Sequence, residues 1–173
     1  LRTDIINQQD YLDNSIWINM SPYDVGEARV DLYVSTGYEI MPGMTYQNRD
    51  YTDTILQAYQ SLLTSSAVLE DVAKQVKTEP RYLEELVEVT IGANQDGQLN
   101  RMLTIDVKHT TKEDAEEVLG AFLAHVDDMH DRIATSIGEH TVSIVNESVS
   151  ALVNLDLAEL QRQQTEKLTT LND

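Results

Sequence analysis

His125, Asp127, Asp128, His130 and Asp131 form the densest group of potential metal ligands in the chain. On a helix, His125 and Asp128 stand at i and i+3, as do Asp127 and His130, so either pair shares a face and can touch one ion. The two histidines diverge, however. The HExxH spacing of a zinc-binding helix is missing, and Val126, Met129 and Ile133 run between these residues at the interval of a buried stripe. The group reads as the solvated face of an amphipathic helix, and neither a metal nor any other cofactor is expected.

His109 and His140 precede Thr110 and Thr141 at element boundaries, where capping or contact with water accounts for them. Ser15, Ser61, Ser65, Ser66, Ser136, Ser143, Ser148 and Ser150 all lack the context of a nucleophile elbow. The neighbouring carboxylates Glu84/Glu85 and Glu116/Glu117 point in different directions on a helix and read as solvated charge. Gly37, Gly43, Gly92 and Gly97 are isolated, so there is no glycine-rich phosphate loop. Nucleophile, base and orienting group converge in no motif, and the chain is expected not to be an enzyme. The candidate ligand-binding residues are aromatic: Trp17, Tyr38, Tyr46 and Tyr51. Their flat bodies with polar tips suit the face of a sugar ring, the competing role being packing beneath a loop.

The elements that must position these residues follow from periodicity. Leu1, Ile5, Gln8 and Leu12 keep one helix face up to Asp13-Asn14, which predicts a helical arm over about 1–13. Alternation over 16–20 and again over 28–34 predicts a pair of strands. Residues 37–50, with Pro42-Gly43, read as a loop. Ile55, Leu56, Tyr59, Leu62, Leu63, Val68, Leu69, Val72 and Val76 predict one amphipathic helix over 52–77, followed by a short helix over 82–86. Val87, Val89 and Ile91 alternate with polar residues, and 102–107 supplies a partner strand across the turn Asn94-Gln95-Asp96-Gly97. Thr110-Thr111-Lys112-Glu113-Asp114 offers an N-cap with acids in the first turn, and Val118, Phe122, Val126, Met129, Ile133 and Ile137 continue it as a second long helix that Gly138 ends. Val142, Ile144, Val149, Ala151 and Val153 suggest further strand. A polar arm over 155–173 closes the chain, its seam weakened by Gln164 and Lys167. Leu62, Leu63, Leu69, Phe122 and Val126 are the expected core between the two long helices. The order predicts an α+β fold, in which a small mixed or antiparallel sheet packs against long helices and the terminal helices lie side by side.

At 173 residues and 41% hydrophobic content the chain suits a single domain, spanning 1–173, with a buried core. Thirty acidic against twelve basic residues give a formal charge of −18, which repels a phosphate backbone and excludes nucleic acid as a partner. Without cysteine there is neither a disulfide framework nor thiolate chemistry, and the redox compartment stays open. No run approaches the roughly 18 apolar residues of a spanning helix. The chain opens at Leu1 and reads as an excised fragment, so its parent is free to carry such segments.

The stretch 28–34 followed by 51–72, with Tyr59, Leu63, Ser66 and Leu69 in a "Tyr, then Leu, then Ser-x-x-Val-Leu" pattern, resembles the Wzz chain-length-determinant family, the polysaccharide co-polymerases. The likeness runs on through 83–91, 101–107 and Ala115-x-x-Val118, and covers about 28–125. This chain departs from the family in opening its second long helix with Thr111-Lys112-Glu113-Asp114, without an Asp-Pro, and in placing residues 16–34 as in the Gram-positive-like variant. The resemblance implies a non-catalytic scaffold on the extracytoplasmic face of a bacterial cell membrane, anchored through segments outside this chain. It further implies a homo-oligomer that regulates the length of a surface polysaccharide (capsule, exopolysaccharide or O-antigen) with a membrane polysaccharide polymerase and, in that variant, with a cognate tyrosine kinase. The alternative is an extracytoplasmic sensor or ligand-binding domain whose Tyr-rich loop over 37–51 covers a pocket.

Overall fold

A computed structural model describes residues 2–36, 51–97 and 99–172. The fold is α+β, as the order of elements predicts. Strand β1 (Val25–Thr36) is followed by helices α3 (Thr52–Leu63), α4 (Ser66–Gln75) and α5 (Pro80–Glu84), the hairpin β2 (Val87–Ala93) and β3 (Leu99–His109), helix α6 (Lys112–Ser136) and β4 (His140–Leu152). Helices α1 (Arg2–Asn14) and α2 (Ile16–Asn19) precede this unit and α7 (Leu155–Asn172) follows it. The sheet order is β2-β3-β1-β4 with every neighbouring pair antiparallel. Two helical crossovers around a central hairpin in this order make the split βαβ arrangement.

The helices of both crossovers cover one face of the sheet. Alternate residues of β1, Ala28, Val30, Leu32 and Val34, point into that layer and are buried, whereas Glu27, Arg29, Asp31 and Tyr33 point to the other face. Leu103, Ile105 and Val107 of β3 continue the buried layer, which Ile55, Leu56, Tyr59 and Leu63 of α3 and Val118, Phe122, Val126 and Ile133 of α6 close from above. Each apolar side chain so buried contributes about 1.5–3 kcal/mol relative to exposure. Leu63, Phe122 and Val126 are in this core as expected, and Leu62 and Leu69 pack against its margin, only partly buried.

The position of α6 is set by a close approach. A Cβ on Gly26 would lie 2.2 Å from the backbone carbonyl carbon of Thr111, so only glycine lets the start of β1 meet the first turn of α6. Thr111 is the N-cap of that helix, its hydroxyl accepting from Asp114 N, as the threonine-acid run predicts. In the hairpin, Gly97 takes φ +77° and its N–H donates to Asn94 O, which explains the turn at 94–97.

Two expectations about local structure are corrected. Residues 16–20, read as a strand, form α2, because Ser15 caps it by accepting from Ile18 N and its side chains enter a small second core of Met20, Val25, Leu86 and Leu157. The single helix expected over 52–77 is two: the hydroxyl of Ser65 donates to Leu62 O and accepts from Val68 N, ending α3 and starting α4. The hairpin, the long helix α6 and the side-by-side placement of the terminal helices match expectation. Gln8 Nε2 of α1 donates to the backbone carbonyl and to Oε1 of Gln164 in α7, at 3.1 and 3.0 Å. The loop expected over 37–50, with Tyr38 and Tyr46, lies outside the described residues. Among the described residues no helix is long and apolar enough to cross a membrane.

Candidate functional site

Where β1 begins and β3 ends, the second small core seats α2 and α7 against the sheet and leaves a cleft of about 330 Å³ beside it. Trp17 lines the cleft with Glu85, Glu88, Asp106, Lys108, Asn154 and Asp156, over a floor of Leu86, Val87, Leu157 and Leu160. Trp17 is held there because Ile16 and Ile18 on the same short helix are drawn to apolar surroundings, Ile18 itself being buried.

The polar groups of the cleft divide into those already committed and those still open. Glu85 is committed: it accepts from the Tyr11 hydroxyl at 2.5 Å on Oε2 and from the Ser15 hydroxyl at 3.0 Å on Oε1. Burial, together with this carboxylate, pushes Tyr11 up to about 12. Reading Glu84/Glu85 as solvated charge is right for the exposed Glu84 and wrong for Glu85, whose two partners lie some seventy residues away in the chain. Asn154 is committed too, its Oδ1 accepting from Leu157 N at the start of α7. Lys108 Nζ sits 3.2 Å from Asp106 Oδ2 and 3.5 Å from Glu27 Oε2. Asp106 Oδ1, in contrast, is shielded from solvent and has no hydrogen-bond partner. A buried carboxylate oxygen in that condition costs free energy until a donor reaches it. Carboxylates at Glu88, Asp106 and Asp156 against the one ammonium of Lys108 leave the cleft net negative.

The opposite end of the sheet holds a different arrangement. Tyr59, buried in α3, donates its hydroxyl to His140 Nε2 at 2.7 Å, and His140 Nδ1 donates to Gly138 O at 2.9 Å. The rings of His140 and His130 are 4.5 Å apart, and His130 Nε2 donates to His140 O at 3.0 Å while Nδ1 faces Asp131 Oδ1 at 3.2 Å. The hydrogen bond to the His140 carbonyl and then Asp131 raise the pKa of His130 above its ordinary value, and burial first, then the charge of Asp127, pushes Tyr59 up to about 12. Sequence reasoning placed His140 at an exposed or capping position; it is buried, because Tyr59 on the core face of α3 requires a partner for its hydroxyl. That requirement was the available signal.

The remaining candidates are dispersed. Tyr51 precedes α3, exposed, 3.8 Å from the position of a Cβ on Gly138 at the histidine end, and does not line the cleft with Trp17. The structure therefore does not bring Trp17 and Tyr51 together. His125 Nε2 lies 2.9 Å from Asp71 Oδ2 of α4 but off the hydrogen-bond direction. Asp127, Asp128 and Asp131 face outward, and among the described residues no group of three potential ligands is placed to hold a metal. His109 Nδ1 accepts from Thr110 N, and burial lowers its pKa against the opposing pull of Asp114 and Glu117.

No family model and no curated protein matches the chain. Solved structures do match. A hydantoinase/carbamoylase family amidase from Burkholderia ambifaria is 15% identical, with a TM-score of 0.34, over 82% of this chain and 32% of that one. AtUAH in complex with (S)-hydroxyglycine and AtUAH in complex with glyoxylate are each 14% identical, with a TM-score of 0.34, over 83% of this chain and 32% of theirs. The chain spans about a third of the length of these structures.

These findings correct the family reading. The matched structures are an amidase and AtUAH, and none of the three is a polysaccharide co-polymerase. The assignment to the chain-length determinants is therefore withdrawn, and with it the non-catalytic scaffold in polysaccharide assembly. The expectation that the chain is not an enzyme is withdrawn as well, since one of the matched structures is an amidase. A TM-score of 0.34 transfers no activity in exchange. The residues behind the resemblance have a simpler physical origin. Tyr59 and Leu63 are buried because they form the core face of α3, and the supposed motif then crosses the break at Ser65 into α4, so its spacing does not belong to one helix.

Proposed function

We propose that this domain binds a small organic cation, an ammonium-bearing molecule, in the cleft beside Trp17. The reading rests on Asp106 Oδ1, which is shielded, unpartnered and part of the cleft lining. An ammonium N–H donated to that oxygen satisfies the carboxylate, and Glu88 and Asp156 add attraction of the same sign. Trp17 provides the indole, the best of the aromatic faces for a cation, in contacts of about 0.5–2 kcal/mol. Glu85, fixed by Tyr11 and Ser15, keeps the wall of the cleft in place without spending a free acceptor on the ligand.

Trp17 is the sole tryptophan, so its fluorescence reports on this cleft alone. Putrescine added at physiological salt is expected to change that fluorescence saturably, and Asp106→Asn to weaken the response about tenfold or more, equivalent to roughly 1.4 kcal/mol. The −18 surface attracts amines everywhere, which makes the Asp106→Asn comparison the decisive arm. An undiminished response in Asp106→Asn, or saturation by a neutral disaccharide and not by the amine, overturns the proposal.

A further inference from the structure

We infer that β4 is an assembly edge, along which a second copy of this chain adds its own β4 to make one continuous sheet. β4 is an outer strand of the sheet, thirteen residues long, against seven for β2 at the other edge. Among the described residues only β1 pairs with it, so the backbone N–H and C=O groups along its outer side meet no described strand. Edge strands in lone proteins are ordinarily blunted by Lys, Pro or inward charge; β4 contains neither Lys nor Pro and has one irregularity, where the register with β1 shifts between Asp31 and Leu32.

Two further observations select a second copy as the occupant. Ile144, Val145 and Val149 are 55%, 54% and 39% exposed, which gathers apolar surface on this strand for a matching apolar surface to cover. A molecule of formal charge −18 is repelled by its own copies over most approaches, yet Glu147 is the only Asp, Glu, Lys or Arg in β4. Along this strand like charge interferes little. Two-fold pairing of identical strands brings the same patch to both sides and runs the two strands antiparallel.

Sedimentation equilibrium from micromolar to millimolar protein, at low and high salt, reads the association. A monomer–dimer equilibrium that tightens as salt screens the acidic surface is expected. Val145→Lys and Val149→Lys are expected to weaken it about tenfold or more by placing a hydrated ammonium where the apolar patch is to be buried. Ile6→Lys, on the distant helix α1, is the control expected to leave it unchanged. Both strand substitutions are at exposed positions, and an unaltered melting midpoint confirms that folding is intact. Hydrogen exchange distinguishes the edge used: amides of β4 gain protection with protein concentration and those of β2 do not. A chain that stays monomeric throughout, a dimer without added protection in β4, or a dimer indifferent to both lysine substitutions overturns the inference.

Discussion

The two ends of the sheet solve the same problem in opposite ways. At the histidine end, Tyr59, His140 and His130 bury or half-bury polar atoms and give each a partner, from a hydroxyl through two imidazoles to a carbonyl and a carboxylate. At the tryptophan end, Tyr11 and Ser15 give each oxygen of Glu85 a donor, whereas Asp106 keeps one shielded oxygen with no donor. A completed network stabilises and leaves nothing for a ligand to add. An incomplete one costs stability in the free protein and returns it when a donor binds, which is why the less well satisfied end is the better candidate for recognition.

The sharpest way to break this contrast is to remove support from one end and ask whether the other notices. Leu157 is fully buried in the small core beneath the cleft, and Leu157→Ala is expected to cost about 2–5 kcal/mol in chemical denaturation. It should also shift the Trp17 emission to the red while leaving the NMR signals of the His140 ring in place. Movement of both signals together would show that the ends are not independent.

A smaller loss is expected from Tyr59→Phe. It leaves His140 Nε2 buried without its donor, a penalty of about 1–3 kcal/mol, with no change in the Trp17 emission. Stability equal to that of the parent protein would mean that the histidine network is not what the geometry implies.

The smallest effect is one of pH. The folded-state pKa of His130 is raised above 6.5, so its contribution to stability is fully present below the unfolded value and fades as pH rises through the folded one. His109 works against it: its lowered folded-state pKa reduces stability as pH falls below 6.5. Removing one of the two separates them. His130→Gln is expected to lower the melting midpoint more in mildly acidic than in mildly alkaline buffer, and equal shifts at both would discard the assignment.

What the sequence revealed followed how local each structure is. The β2–β3 hairpin was legible because Val87, Val89 and Ile91 alternate and Gly97 sits in the turn between the strands, all within one short stretch. The same holds for α6, whose cap and stripe are continuous. Alternation over 16–20 misled, since Ile16, Ile18 and Met20 fit a strand or a helical turn equally, and the choice fell to Ser15 and to burial against Leu157, far along the chain. The cleft draws on segments around Trp17, Glu85 to Glu88, Asp106 to Lys108 and Asn154 to Leu160, whose adjacency is a product of the sheet order. Trp17 was legible as a candidate by its type alone. Nothing in its neighbourhood along the chain indicates that its companions are carboxylates and not the tyrosines first grouped with it.

The clasp between α1 and α7 has a mechanical meaning. Met20 O accepts from Gln161 Nε2 near the sheet, and Gln8 meets Gln164 further out, so one helix descends as the other ascends and their outer ends point away together. Tension drawn between those outer ends acts across the pair, not along it. It loads the contacts one after another, as a zipper is opened, and it reaches Gln8 and Gln164 before it reaches any strand. The sheet, with the cleft at its edge, is thereby insulated from pulling on the chain until the clasp has parted.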